Sequence, residues 1–539
     1  MKQASKVFLR FSFICILSVS FQYLDAQING RRQVNAAVNP NPGIKMFSDE
    51  MKELPAPTDF IIIGNSRFAN IMRPYVVHKN QMGIRTHYID LESILQFNTG
   101  DDPARVKQAI AYAYINKVTR YVMLLGDATL FPVRHRFVSA ANEFGRPKNS
   151  NNDWWYDGAY VATDLYYASL FHHSSERFQA SMANYDDWDF NKNFKYNEEL
   201  WNWNENPQHT PNAYNPDKVD GYPDIAVGRL PIQNEGELMI YVDKAIKYDN
   251  GQMLPGAKKG MTIVAGGSYP TSDEMCEQLL QYNSIKNRIG EENLLKFGFE
   301  FAANKRTLKN GWENGNFASV RNALMNSWGL VYLGHGYSGG WDIHDNGNIF
   351  DATEVEKFIG QLTLPVVFSI GCETGQYKPV VPVGPYKNVY GEWNWYYQYN
   401  HDTICKNSGP NDHNQPGLED RIKNLPTSIS APAPYDLADQ HNRTFACPWL
   451  FQKNKGGAIA FFGETVVCQN NHGRDLIERV LNAYYDNHNK NILLGDVWLK
   501  GEQQFWHDFQ NDNDVFQNPR IYLSIMTFFG DPTLKMSGE

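Results

Sequence analysis

LPVVFSIGCETG, residues 364–375, begins as an unbroken apolar run and stops at a glycine and a cysteine. A run this short, without polar alternation, reads as a strand buried on both faces, the signature of a parallel sheet covered by helices. GLVYLGHGYSGGW, residues 329–341, has the same form and ends its run at Gly334-His335-Gly336. The stretch between the two runs is long enough for a right-handed crossover, and Thr353-x-x-Glu356 supplies a capping box for the crossover helix. If the two strands are neighbours, His335 and Cys372 emerge side by side at the carboxyl edge, where open α/β sheets carry their sites.

The same rhythm extends in both directions. Upstream, FIIIG (60–64), YVMLLGD (121–127) and YPDIAVGRLP (222–231) read as strands, with helical patterns over 67–82, 103–118 and 235–248. GQMLPGAKKG (251–260) reads as a connection. MTIVAG (261–266) and GAIAFFG (457–463) are further strands, and helices are expected over 273–289, 316–327 and 474–486. The fold class is therefore α/β, with two subdomains of mostly parallel sheet flanked by helices. Residues 140–220, crowded with Asn, Asp, Trp and Tyr, and the stretch 377–448 read as elaborated loops.

The N-terminal stretch MKQASKVFLRFSFICILSVSFQYLDAQ has basic residues, then an apolar run, then Ala26, the pattern of an export signal. The expected organisation is a signal peptide (1–26), a leader (27–57), an N-terminal α/β subdomain (58–255) and a catalytic α/β subdomain (256–539). Removal of the signal leaves no transmembrane span and implies a secreted or cell-envelope protein. The formal net charge of −9 offers no basic field for phosphate backbones, which excludes nucleic acid as a partner. Of six cysteines, Cys15 leaves with the signal. The remaining Cys276, Cys372, Cys405, Cys447 and Cys468 are an odd set, so at least one stays unpaired or bridges to another chain.

Cysteine and histidine at adjoining strand ends suit nucleophilic chemistry. A free thiol with a pKa of about 8.5 is mostly protonated at neutral pH, and a neighbouring imidazolium lowers that value. The same imidazole then protonates a leaving amine. The backbone N–H groups of Gly336 and Cys372 are candidates for an oxyanion hole. Taken singly, a cysteine after an apolar strand reads as a core thiol and a glycine-flanked histidine as a turn; the pair carries more weight.

LGHGYSGGW and IGCETG resemble the His-Gly and Cys blocks of the gingipain-like cysteine peptidases, family C25 of the caspase-like clan. The resemblance continues through FIIIG, KNQMGIRTHYIDL (79–91), YVMLLGDATLFP (121–132), TDLYYASL (163–170), GYPDIAVGRLP and FFGDPTLKM (528–536), spanning about residue 57 to 539 in matching order. It implies a caspase-like fold, with Cys372 as nucleophile and His335 as general base and acid. Gingipains also place a Glu beside the catalytic His, from the loop after the strand matching MTIVAG. Here that loop reads GGSYPTSDE and aligns a glycine. The third member is open, with Asp273 and Asp342 as candidates to orient His335 or select substrate, and a preference for basic side chains is implied only weakly.

DWDFNKNFKYNE (187–198) sets Asp187, Asp189, Asn191, Asn193 and Glu198 at the spacing of an EF-hand-like calcium loop, although Lys192 replaces its glycine. A structural calcium is thus a candidate; the chemistry itself requires no cofactor. The function expected is an exported cysteine endopeptidase acting on proteins or peptides through a thioester acyl-enzyme. Two alternatives stand beside it: a sortase-like transpeptidase using the same dyad, and a non-catalytic surface protein capturing glycans or proteins with aromatic loops around Trp154, Trp155, Trp201 and Trp203.

Overall fold

The computed structural model describes residues 48–97, 100–138, 160–173, 180–191, 196–199, 215, 217–253, 260–266, 283, 285–299, 313–325, 327–359, 363–377, 384–387, 393–396, 443–454, 456–466, 470–486, 492–511 and 519–536. Eleven strands form one sheet. In chain order they are β1 (Phe60–Gly64), β2 (Thr86–Asp90), β3 (Tyr121–Leu125), β4 (Ala226–Leu230), β5 (Gly260–Gly266) and β6 (Leu294–Phe299). There follow β7 (Glu313–Asn314), β8 (Ser327–Gly334), β9 (Val366–Ile370), β10 (Ala460–Glu464) and β11 (Met526–Phe529). The spatial order is β7-β6-β5-β8-β9-β10-β11-β4-β3-β1-β2.

The apolar runs that read as two-sided strands are buried throughout: every residue of β1, β3, β8 and β9 is buried. Neighbouring strands are parallel except at one joint, where β10 and β11 pair antiparallel. β11 is then parallel to β4 through Phe529 and Arg229. The sheet therefore consists of two internally parallel halves running in opposite directions. The strands of both halves share one ladder. β11, from the C-terminal segment, also lies beside the N-terminal half.

Aromatic packing seals the joint. Phe462 of β10 stacks on Phe368 of β9 and Phe528 of β11, with ring centroids 4.9 and 4.6 Å apart, and Trp498 covers it at 4.6 Å. Just beyond β11, Asp531 is fully buried and accepts from Tyr75 and from Lys79, whose Nζ also meets Asp249 at 2.7 Å. Tyr75 and Lys79 lie on helix α1 (Ala69–Gln81), and Asp249 ends the later helix Glu235–Asp249. Paired and hydrogen-bonded, these charges tolerate removal from water.

Several elements differ from the reading of the sequence. The outer strands β2, β6 and β7 were not expected. Neither was the antiparallel sheet of Gly336–Tyr337, Gly340–Asp345 and Asn348–Asp351. Its second turn is Asn346-Gly347, with φ of 50° and 81°, the left-handed pair that a two-residue hairpin demands. The crossover helix is short, Ala352–Glu356, and Thr353 does not cap it. Asp351 does, its Oδ1 accepting from the Thr353 N–H at 2.8 Å and hydroxyl at 2.7 Å, because a carboxylate one residue before the helix reaches the open N–H groups. Among the described residues, no helix is long and apolar enough to cross a membrane.

Candidate active site

β8 and β9 pair in parallel, and the last partners are Leu333 and Ile370. His335 and Cys372 each lie two residues beyond, so both chain segments leave the sheet together at one carboxyl edge. β5 sits on the other side of β8, and from it the chain turns outward to β6 and β7 before returning to β8. A reversal of strand order of this kind, here between β5 and β8, is where open α/β sheets place their ligand sites.

The two segments pack backbone against backbone. A Cβ added at Gly336 would lie 2.8 Å from Thr374 Cγ2 and 3.0 Å from the Cys372 carbonyl oxygen. Only glycine permits this approach. Past Cys372 the chain turns sharply. Glu373 adopts φ 60°, a left-handed conformation unusual for a side-chain-bearing residue, and its N–H reaches Val466 O at 3.3 Å. Gly375 N–H bonds Glu464 O at 2.8 Å, so the turn is moored to the end of β10.

On the histidine side, the His335 carbonyl accepts from the Tyr332 hydroxyl at 2.5 Å and from the Asp342 N–H at 2.9 Å. The second bond makes Gly336 and Trp341 a non-hydrogen-bonded pair of the hairpin, which directs the Gly336 N–H away from its partner strand. That direction suits an oxyanion donor. Burial, then the nearby charges of Asp342 and Cys372, push the Tyr332 phenol well above its usual range, so it remains a donor. Asp342 Oδ1 meets His344 Nε2 at 2.9 Å, and the Asp342 backbone braces His335. Asp273 lies outside the described residues.

The two described cysteines are thiols of contrasting kinds. Cys372 is half-buried at the sheet edge. Cys447 is buried in the core, where desolvation pushes its thiol up to about 12 despite the nearby Arg443 guanidinium. It behaves as a small apolar residue, whereas Cys372 stands at the carboxyl edge of the sheet against the Gly336 segment. Cys276, Cys405 and Cys468 lie outside the described residues.

Of the calcium set, Asp187, Asp189 and Asn191 are described, while Asn193 and the Glu198 side chain lie outside. Asp189 is buried, Asp187 half-buried and Asn191 exposed. Among the described residues, His172, Asp186 and Asp220 gather closely, with candidate ligand atoms within 4.8 Å of one another. Asp186 Oδ2 is buried there without a hydrogen-bond partner, which fits a cation. Sequence spacing could not find this group, because its three members come from separate loops.

Sequence reading also missed Tyr332, Trp341, Ser369 and Thr374, which surround the two site segments. The available signal was position: each lies within the two quoted motifs.

The chain belongs to peptidase family C25, whose model matches residues 53–388 and 428–537. It is a cysteine peptidase of the gingipain-like kind. Among solved structures it is similar to the Arg-specific cysteine proteinase gingipain R (RgpB), at 15% identity over 89% of this chain and 80% of that one, with a TM-score of 0.50. A complex of the RgpB pro- and mature domains from Porphyromonas gingivalis gives 15% identity over 88% and 79%, TM-score 0.49. A structure described only as a protease gives 11% identity over 89% and 79%, TM-score 0.51. At these identities the likeness is one of fold. No curated protein matches the chain.

Proposed function

We propose that the chain is an exported cysteine endopeptidase in which Cys372 is the nucleophile and His335 the general base and acid. The observation that carries this reading is the meeting of the two motifs at adjoining parallel strand ends, closed by the approach of Gly336 to Cys372 and Thr374. Cys372 Sγ, its proton held by His335, attacks the scissile carbonyl carbon, and the C=O π electrons move to oxygen. N–H donors from Gly336 and Cys372 receive that oxyanion. Collapse breaks the C–N bond, His335 protonates the departing amine, and a thioester remains. Water, deprotonated by His335, attacks the thioester; the acid leaves and the thiol is restored.

Export through residues 1–26 and a structural calcium in the loop around Asp187–Glu198 belong to the same reading. The calcium would brace loops remote from the thiol and supply none of the chemistry. Its test is the melting temperature of the chain with calcium and with chelator; equal values would remove calcium from the reading.

The deciding experiment is cleavage of a diverse peptide library by the chain from Gln27, beside Cys372→Ala. Internal cuts made only by the unmutated chain establish the endopeptidase. Transfer of the acyl group to an added amine in preference to water would favour the transpeptidase. Equal cutting by both proteins would sink the assignment of Cys372.

A further inference from the structure

A one-way chain of hydrogen bonds ends on the carbonyl immediately before Cys372. The Trp341 indole N–H, a donor only, points at Ser369 Oγ at 2.8 Å. Ser369 Oγ accepts it and passes its own hydrogen to Thr374 Oγ1 at 2.9 Å. Thr374 Oγ1 passes its hydrogen to Gly371 O, again at 2.9 Å. All three side chains are buried, so water does not compete and each hydroxyl has its single hydrogen committed.

The start of this chain is fixed by stacking. The Trp341 ring lies on Tyr332 with centroids 4.4 Å apart and planes 12° from parallel, and Phe350 stacks at 4.9 Å. Tyr332 itself holds the His335 carbonyl. One buried indole thus touches both motifs, through its ring toward His335 and through its N–H toward Cys372.

The end of the chain matters because a peptide group is planar and trans. Holding Gly371 O fixes the direction of the Cys372 N–H, which points the opposite way across the same plane. We propose that Thr374 and Ser369, set by Trp341, are positioning residues that orient the Gly371–Cys372 peptide so that its N–H meets the developing oxyanion. This rests on the peptidase reading above. The three residues do not touch substrate; they act through the peptide plane.

The test uses a fluorogenic peptide chosen from the library, with Thr374→Val, Thr374→Ser, Ser369→Ala and Trp341→Phe in the full chain from Gln27. Loss of an oriented oxyanion donor should lower kcat by roughly ten- to a hundredfold in Thr374→Val with KM nearly unchanged. Affinity for a peptide aldehyde should fall in parallel, because its hemithioacetal oxygen occupies the same place. Alkylation of Cys372 by iodoacetamide builds no oxyanion and should keep its rate. Thr374→Ser, which retains the hydroxyl, should recover most of kcat, and Ser369→Ala and Trp341→Phe should show smaller losses of the same kind.

An undiminished kcat in Thr374→Val overturns the proposal. So does a fall in kcat matched by an equal fall in alkylation, which would mean that the thiol itself had moved. If Thr374→Val does not fold, Ser369→Ala with unchanged kcat and aldehyde affinity overturns it equally. Failure of the underlying reading has a different signature: Cys372→Ala would then cleave as well as the unmutated chain.

Discussion

Gly336 lies where two backbones meet, and the smallest possible change there should be felt in the chemistry. Gly336→Ala places a methyl group 2.8 Å from Thr374 Cγ2 and 3.0 Å from the Cys372 carbonyl oxygen, so the histidine and cysteine segments must part. A displacement of that order is expected to lower kcat by roughly tenfold or more while the melting temperature changes little. Steady-state kinetics beside a thermal melt would check it; unchanged kcat would mean the segments adjust without cost. The two thiols allow a second prediction. Iodoacetamide at pH 8 should modify Cys372 in the folded chain and Cys447 only after unfolding, since burial holds the latter up to about 12. Peptide mapping before and after denaturant reads this directly. At this scale the placing of His335 and Cys372 was legible because both stand at strand ends flanked by glycine. Thr374 and Trp341 were not, because their importance lies in what they touch across the sheet edge, and no linear spacing encodes that.

Helix Leu494–Phe509 shows what burial costs an element. It packs against helix Asn470–Tyr485 with Val497, Trp498, Gly501 and Phe505 facing inward, and Glu502 is buried with them. Desolvation raises the Glu502 carboxyl well above its usual range, against a smaller opposing effect from its hydrogen bond with Trp498. The folded state therefore holds a proton that the unfolded state releases. Its contribution to stability is complete below the ordinary glutamate pKa and is lost as pH rises toward the folded value. Glu502→Gln should raise the melting temperature at pH 8, leave it nearly unchanged at pH 4, and flatten the profile between; a uniform shift at both pH values would count against this account. Asp351→Ala, which removes both bonds at the start of the crossover helix, should cost about 1 kcal/mol in a denaturant titration. Long apolar strands were legible by pattern. β6 was not, since Lys296 and Gly298 interrupt its apolar run and Leu295 faces outward near the edge. The Asn346-Gly347 hairpin did carry its signal in the turn residues, but the capping pattern at Thr353 offered a competing helical reading.

Across the whole molecule, the alternation of strands and helices made the α/β class legible, and the quoted motifs pointed to family C25 over most of the chain. What the sequence concealed is that both halves belong to one ladder. β11 has only four residues, and nothing local says that its neighbours are β10 on one side and β4 on the other. The charged cluster around Asp531 fixes that short strand in place, and its integrity is testable. Lys79→Met leaves Asp249 and Asp531 buried without their shared ammonium and should destabilise the chain by roughly 3–5 kcal/mol. Replacing Lys79, Asp249 and Asp531 together with apolar residues should recover part of that loss, as measured by chemical denaturation.

The central position of β11 also bears on timing. On the ribosome this strand is made after every other strand of the sheet, yet it lies between the two halves. Until it arrives, β4 and β10 each present an unpaired edge, and neither can complete its row of hydrogen bonds. The edge that carries His335 and Cys372, at β8 and β9, is therefore made before the strand that joins the two halves. A nascent chain held open in this way joins its two halves only once β11 has been made, however early the other strands formed.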